Sequence, residues 1–303
     1  MKKKNTQEKP ADRKHERKKS LLRSLVHTLI FLLIVTVGVA GGVFLYARYT
    51  KTHYEITFYQ ETSKKVSHNI RLAVISDLHN REYGEKNQTL IADLKALKPD
   101  LILFLGDMIN RQDGHYEPML ELGTALSEVA PCYGVLGNHE SERMYYYDDM
   151  KIPEKFREAG VKILRNTQEM VTVGADTIQL IGLEGTPHGF EEYGGRKFMD
   201  GTSIRPDAYC IVMNHIPFTF RDQISDYPFD LGIAGHSHGG LIILPFFGGV
   251  YTAEEGFFPK YYKGRNRLKL DQSLIISRGM GDSSPWPRIN NMPELVIIDV
   301  NCY

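Results

Sequence analysis

LGIAGHSHGG, residues 231–240, sets a short apolar run against two histidines spaced two apart among glycines. The run 231–234 reads as a buried strand, because a few consecutive apolar residues bounded by glycine suit a sheet interior. Gly235, Gly239 and Gly240 free the backbone to bend after it. If the segment stays extended, His236 and His238 share one side and can aim at two neighbouring points. Taken alone, the stretch serves equally well as a strand with a polar turn. What decides its reading is whether other strands supply partners.

Four further apolar runs end in the same way. SDLHN (76–80) follows the run 70–75, LGDMIN (105–110) follows 101–105, LGNHE (136–140) follows 132–136, and MNHIP (213–217) follows 208–213. Any one of these polar ends reads as a cap or a turn. Together they bring Asp77, His79, Asp107, Asn138, His139, His215, His236 and His238 to the ends of five strands. In open α/β sheets, sites form in the crevice beyond the carboxyl ends of the strands. Carboxylate, amide and imidazole donors without thiolate suit Mn, Fe, Zn or Ni. Leaving His139 aside, the seven donors exceed what one tetrahedral ion takes, whereas two ions sharing a carboxylate would use them all.

Between these runs lie helical patterns at 86–97, 117–129 and 153–159. Further strand-like runs fall at 54–60, 161–164, 170–173, 177–181, 241–244, 273–276 and 294–300. Helix and strand alternate first and strands dominate later, so the fold class is α/β with sheets sandwiched between helices. No internal repeat interrupts the pattern.

The order D-x-H, G-D, G-N-H-E, H, G-H-x-H resembles that of the calcineurin-like metallophosphoesterases, over roughly residues 66–300. The ending SRGMGDSSPWPRINNMPEL (277–295) is similar to their membrane-associated bacterial branch. The resemblance implies a four-layered α/β/β/α sandwich with a binuclear metal centre between the sheets. It implies Asp77, His79 and His238 on one divalent ion, Asn138, His215 and His236 on the other, and Asp107 bridging. His139 would stand over the substrate as acid or charge stabiliser. The implied activity is hydrolysis of a phosphate mono- or diester by a hydroxide that the two ions activate. One departure is Asn110, where the family often has Asp, which touches metal preference or rate rather than metal binding itself. Two other readings are a catalytically silent metal-binding envelope receptor and a nuclease using the same centre. The first would have lost a ligand or His139, and this chain keeps them.

The formal charge of zero hides an asymmetry: residues 1–24 carry +7 and the remainder −7. An acidic body argues against a nucleic-acid partner. The basic head, residues 1–23, runs into residues 24–47, which contain no Asp, Glu, Lys or Arg. That is long enough to cross a bilayer core, and the basic head holds the N-terminus inside. Gly38 and Ala40 offer a small-x-small cleavage site, yet the length of the span favours a retained signal anchor. The expected order is head, span, a linker at 48–53 and a catalytic domain at 54–303. That domain would face out of a bacterial cell membrane, its centre near the membrane–water boundary. Three cysteines with no paired spacing give neither a disulfide framework nor a zinc cluster. The substrate is a phosphate ester, with a lipid or glycolipid among the candidates, and segments 184–207 and 245–272 shape access to it. In the second, Phe246, Phe247, Tyr251, Phe257, Phe258, Tyr261 and Tyr262 serve either as hairpin packing or as a lipid- or sugar-facing lip.

Overall fold

IRLAVI forms strand β2 (Ile70–Ile75) and shows how the layers arise. Side chains alternate across a strand. Leu72 and Val74 therefore face a second sheet, while Ala73 and Ile75 face helices on the outside. Both faces are buried, which is why the run is apolar without a polar alternation. The computed structural model describes residues 10–112, 114–184, 190–191, 194–284 and 286–303. It divides into two compact units, Met1–Arg48 and Tyr49–Tyr303.

In the first unit, helix α1 (Pro10–Tyr49) runs beyond the apolar stretch at both ends. Its residues Arg17–Tyr49 are long and apolar enough to cross a membrane, and none of the apolar window is buried by protein. A helix that is apolar all round and uncovered suits lipid rather than water.

In the second unit, the first sheet has the order β1 (Glu55–Ser63), β16 (Glu294–Cys302), β2, β3 (Leu101–Phe104), β4 (Cys132–Gly134), β5 (Val161–Ile163). Strands β2 to β5 are parallel, joined by helices α2 (Gln88–Leu97), α3 (Glu117–Ser127), α4 (Asn138–Tyr146) and α5 (Ile152–Glu158). The second sheet runs β14 (Gly264–Arg267), β15 (Ser273–Ile276), β9 (Leu231–Ala234), β8 (Tyr209–Met213), β7 (Asp176–Gly182), β6 (Thr167–Val173). Three buried clusters fill the gaps between layers. Leu90, Leu94, Leu122 and Phe156 pack on the outer face of the first sheet. Leu103, Leu180, Ile211 and Ile233 join the two sheets. Val212, Leu274, Met199 and Phe220 close the far side, under helix α6 (Gly195–Gly201) and a helical turn at Thr219–Gln223.

The result is an α/β/β/α sandwich whose fourth layer is thin. Several expected boundaries shift. Helix α2 starts after a left-handed Asn87 rather than at 86, and it ends at left-handed Lys98 before Pro99. The run 161–181 is divided between the sheets, β5 in one and β6–β7 in the other. The strand expected at 241–244 shrinks to β10 (Ile243–Leu244), which pairs with β11 (Gly248–Gly249). A second short hairpin, β12 (Tyr251–Thr252) with β13 (Gly256–Phe257), follows. Of the expected access segment 184–207, residues 185–189, 192 and 193 lie outside the described residues.

Candidate metal centre

The five strands that end in metal-competent residues are neighbours: β2, β3 and β4 in one sheet, β8 and β9 in the other. Their exits are stitched together. Asp77 N donates to Gly106 O at 3.0 Å and His79 N to Asp107 O at 3.0 Å. Across the sheets, His236 N donates to Asp77 Oδ1 at 3.1 Å, and His215 Nδ1 meets Leu105 O at 2.6 Å. The loops touch so closely that side chains are excluded. A Cβ on Gly137 would lie 2.2 Å from Asp107 Oδ1, and one on Gly235 would lie 2.0 Å from Ser76 Oγ.

That contact at Gly235 corrects one expectation. His236 and His238 do not lie along an extended segment, because the chain must turn immediately where β9 exits onto β2. Both adopt positive φ, 66° and 46°. Asp77, His79 and Asp107 do the same, at 52°, 50° and 52°. Left-handed backbone at a non-glycine residue costs on the order of 1 kcal/mol, and such outliers gather at functional sites. Here the hydrogen bonds between exits hold them in place.

Three groups of donor atoms result, each with all atoms within 4.8 Å of one another: Asp77, His79 and His238; His79, Asp107 and His139; Asp107, His215 and His236. His215 Nε2 lies 3.2 Å from Asp107 Oδ2 and 3.2 Å from His236 Nδ1, and His238 Nε2 lies 3.6 Å from Asp77 Oδ1. Ligands about 2.1 Å from a shared ion sit roughly 3–3.5 Å apart. These separations fit that geometry. Burial is nearly complete, yet both ring nitrogens of His79 and the Asn138 Oδ1 find no hydrogen-bond partner among the described residues. A buried polar atom left unpaired costs about 1–3 kcal/mol, so the donor set suits cations.

The surroundings fix which nitrogen is free. His215 Nδ1 donates to the Leu105 carbonyl, leaving Nε2 aimed inward. His236 turns Nδ1 toward the same point, and its Nε2 meets the Glu254 carboxylate. His139 N donates to Asp107 Oδ1 at 2.8 Å, while its ring Nδ1 accepts the Arg111 N–H at 3.3 Å, so the hydrogen resides on Nε2. Its ring packs edge-on to His79 with centroids 4.6 Å apart.

Burial opposes ionisation of Asp77 and Asp107, but the histidines around them hold both carboxyls below their ordinary range. Burial pushes His79 down to about 3. It works against His215 as well, where Asp107 prevails and raises the imidazole to about 10. A buried cluster with opposed shifts of this kind is a mark of a functional site.

Three residues that the motif reading passed over complete the centre. Glu140 is fully buried, and its carboxylate accepts the N–H groups of Asp107, Met108, Ile109 and Gly137 at 2.7–3.1 Å, which fixes the loop carrying Asp107. Burial, and then the nearby Asp107 charge, push its carboxyl upward against those donors. Glu254 backs His236. Arg288, buried in the ending 277–295, has Nη2 2.8 Å from Arg278 O and 3.3 Å from His238 Nδ1. That ending also hydrogen-bonds the β2 exit directly, Met280 N to Ser76 O at 2.9 Å. Asn110 donates to His79 O at 3.2 Å, a tie to the backbone of a candidate ligand. Beside His139 a polar cleft of about 510 Å³ opens, lined by Lys51, Arg81, Asn110, Arg111 and Ser283.

A family model for calcineurin-like phosphoesterases matches residues 70–240. The chain is similar to the metallophosphoesterase YkuE of Bacillus subtilis, at 27% identity over 85% of this chain and 90% of that one. It is also similar to the phosphodiesterase YaeI of Escherichia coli, at 25% identity over 76% and 82%. A third relative is the UDP-2,3-diacylglucosamine pyrophosphatase LpxG of Chlamydia trachomatis, at 25% identity over 76% and 83%.

Proposed function

The chain belongs to the calcineurin-like phosphoesterase family, and from that premise we propose that it is a membrane-anchored two-metal phosphodiesterase facing out of the cell. That it hydrolyses phosphoric ester bonds follows from the family. The observation that carries the two-metal reading is the chaining of the three donor groups, the first and second sharing His79 and the second and third sharing Asp107. Asp77, His79 and His238 would hold one divalent cation and Asn138, His215 and His236 the other, with Asp107 common to both. Two such cations supply charge neutralisation for phosphate oxygens and a nucleophile available near neutral pH.

The protein's own groups do the rest. Glu140 keeps the Asp107 loop in position. His139 presents Nε2–H to the departing oxygen as a hydrogen-bond donor, and as an acid when the ring is protonated on both nitrogens. The cleft beside it receives the departing group. Relatives named as a phosphodiesterase and as a pyrophosphatase favour phosphorus that carries two substituents. Anchoring rests on the apolar span and its basic head, which by the positive-inside rule leave the catalytic domain outside.

A single experiment on intact protoplasts tests both parts. Cells producing the chain should hydrolyse bis-p-nitrophenyl phosphate added outside, lose that activity on chelation and regain it with a divalent metal. External protease should remove the domain and leave a membrane fragment. Activity that survives chelation would end the metal reading, and a domain untouched by protease in sealed cells would reverse the orientation.

Glu254 carries its own prediction. A carboxylate behind a ligating histidine fixes the ring and raises its basicity, and its loss typically costs 10–100-fold in metal affinity. Glu254→Gln should keep the fold and weaken retention of one ion by roughly that factor in a chelator competition. Unchanged retention of both ions would make the contact with His236 incidental.

A further inference from the structure

The two short hairpins leave an apolar edge uncovered. Leu244, Phe246, Phe247, Tyr251, Phe257 and Phe258 are all exposed, Phe246 completely. Phe246 and Phe258 have φ of 69° and 56°. Left-handed backbone is a genuine outlier for bulky residues, so the turns hold these rings out at a local cost. A compact water-soluble surface seldom gathers so much apolar area unless something contacts it.

The chemistry next to this edge narrows the choice of contact. Residues 256–270, GFFPKYYKGRNRLKL, carry Lys260, Lys263, Arg265, Arg267 and Lys269 and no acidic residue. Arg265, Arg267 and Lys269 pair with Glu61, Asp271 and Asp226. Among the described residues, Lys260 and Lys263 have no ion-pair partner. Tyr262, between them in sequence, packs its ring against Gly248 and Gly249 of the first hairpin. The basic stretch and the aromatic edge are thereby one structure. It is tied to the centre twice, through Glu254 to His236 and through Ser237 Oγ, which donates to Tyr262 O at 2.7 Å.

We propose that this aromatic edge, with Lys260 and Lys263, docks onto the anionic surface of a lipid bilayer. Aromatic side chains standing out from hairpin turns suit insertion among headgroups, where aromatic residues concentrate. Unpaired lysines beside them complement anionic lipid. The tether is short: five residues separate the end of α1 from β1, at most about 18 Å of chain, so an anchored domain stays beside the bilayer. Docking gives the proposed phosphodiesterase a substrate class: amphiphilic phosphoesters borne by the membrane. The inference rests on the anchored reading above.

The test uses the full chain reconstituted into vesicles, with Trp286, its only tryptophan, changed to Phe and Phe246→Trp as the reporter. Phe257→Trp in the same background is a second reporter. Both variants should hydrolyse bis-p-nitrophenyl phosphate in detergent at the parent rate, since neither side chain belongs to the centre. In phosphatidylcholine–phosphatidylglycerol vesicles the introduced indole should emit to the blue and be quenched by brominated lipid. Quenching by aqueous acrylamide should fall about threefold or more relative to detergent. Lys260→Glu with Lys263→Glu should remove roughly half of the lipid quenching. An indole that stays open to acrylamide overturns the proposal. So does one that is shielded but untouched by brominated lipid, which would place a second protein copy on the edge. A chain that never enters the vesicles overturns the anchored reading, and the docking with it; these failures are told apart by the sedimentation of the vesicles.

Discussion

Asp107→Ala should abolish hydrolysis and reduce bound metal from about two ions per chain to one or none. Asp107 Oδ2 lies 3.2 Å from His215 Nε2 and 3.9 Å from His79 Nε2, so its carboxylate stands between the two proposed ligand groups. Two doubly charged ions about 4 Å apart repel by on the order of 16 kcal/mol at an effective dielectric of 20. A negative group between them, at about half that separation from each, is what offsets this. Glu140 cannot take over, because its carboxylate is spent on four backbone N–H groups. Asp107→Asn keeps the shape and the acceptor for His139 N but loses the charge, and should retain one ion. Elemental analysis of both variants, with circular dichroism as a check on folding, decides the matter. Two equivalents of metal in Asp107→Ala would remove Asp107 from the bridging position.

The strand ends were readable because each donor follows its strand within a few residues, and the rule that sites lie beyond carboxyl ends did the rest. What failed to show in the sequence was set by distant contacts or by weak local patterns. Glu254 meets His236 across 18 residues and Arg288 meets His238 across 50, with no spacing to link either pair. Helix α4 begins on the motif itself, and of its nine residues only Asn138, His139, Glu140 and Met144 are buried, too few apolar positions to make a period. Strand β14 reads GRNR, a polar edge with nothing hydrophobic to announce it. The left-handed backbone at Asp77, His79, Asp107, His236 and His238 could not be foreseen either. Single residues of that kind follow from how one loop lies against another, and local preference disfavours them.

The same loops suggest where ligand and acid part company. His139→Ala should retain about two metals and lose roughly 10²–10⁴-fold in turnover on substrates with poor leaving groups. The case for an acid is geometric. With Nδ1 taken by the Arg111 N–H, Nε2 carries the hydrogen and can serve a departing oxygen as hydrogen-bond donor; full proton transfer requires the imidazolium, because a neutral ring would be left as imidazolate. His139 N, bound to Asp107 Oδ1 at 2.8 Å, survives the substitution, so the Asp107 carboxylate keeps that donor. Yet His139 also lies within 4.8 Å of the donor atoms of His79 and Asp107, near enough to act as a ligand itself. Leaving-group dependence separates the two roles. A departing p-nitrophenolate needs little protonation, so the loss should shrink toward tenfold or less on bis-p-nitrophenyl phosphate and grow with alkyl diesters. A ligand role would instead strip an ion and slow every substrate alike. If the defect is equal across leaving groups while both ions stay bound, His139 steadies the charge of the phosphate and protonates nothing.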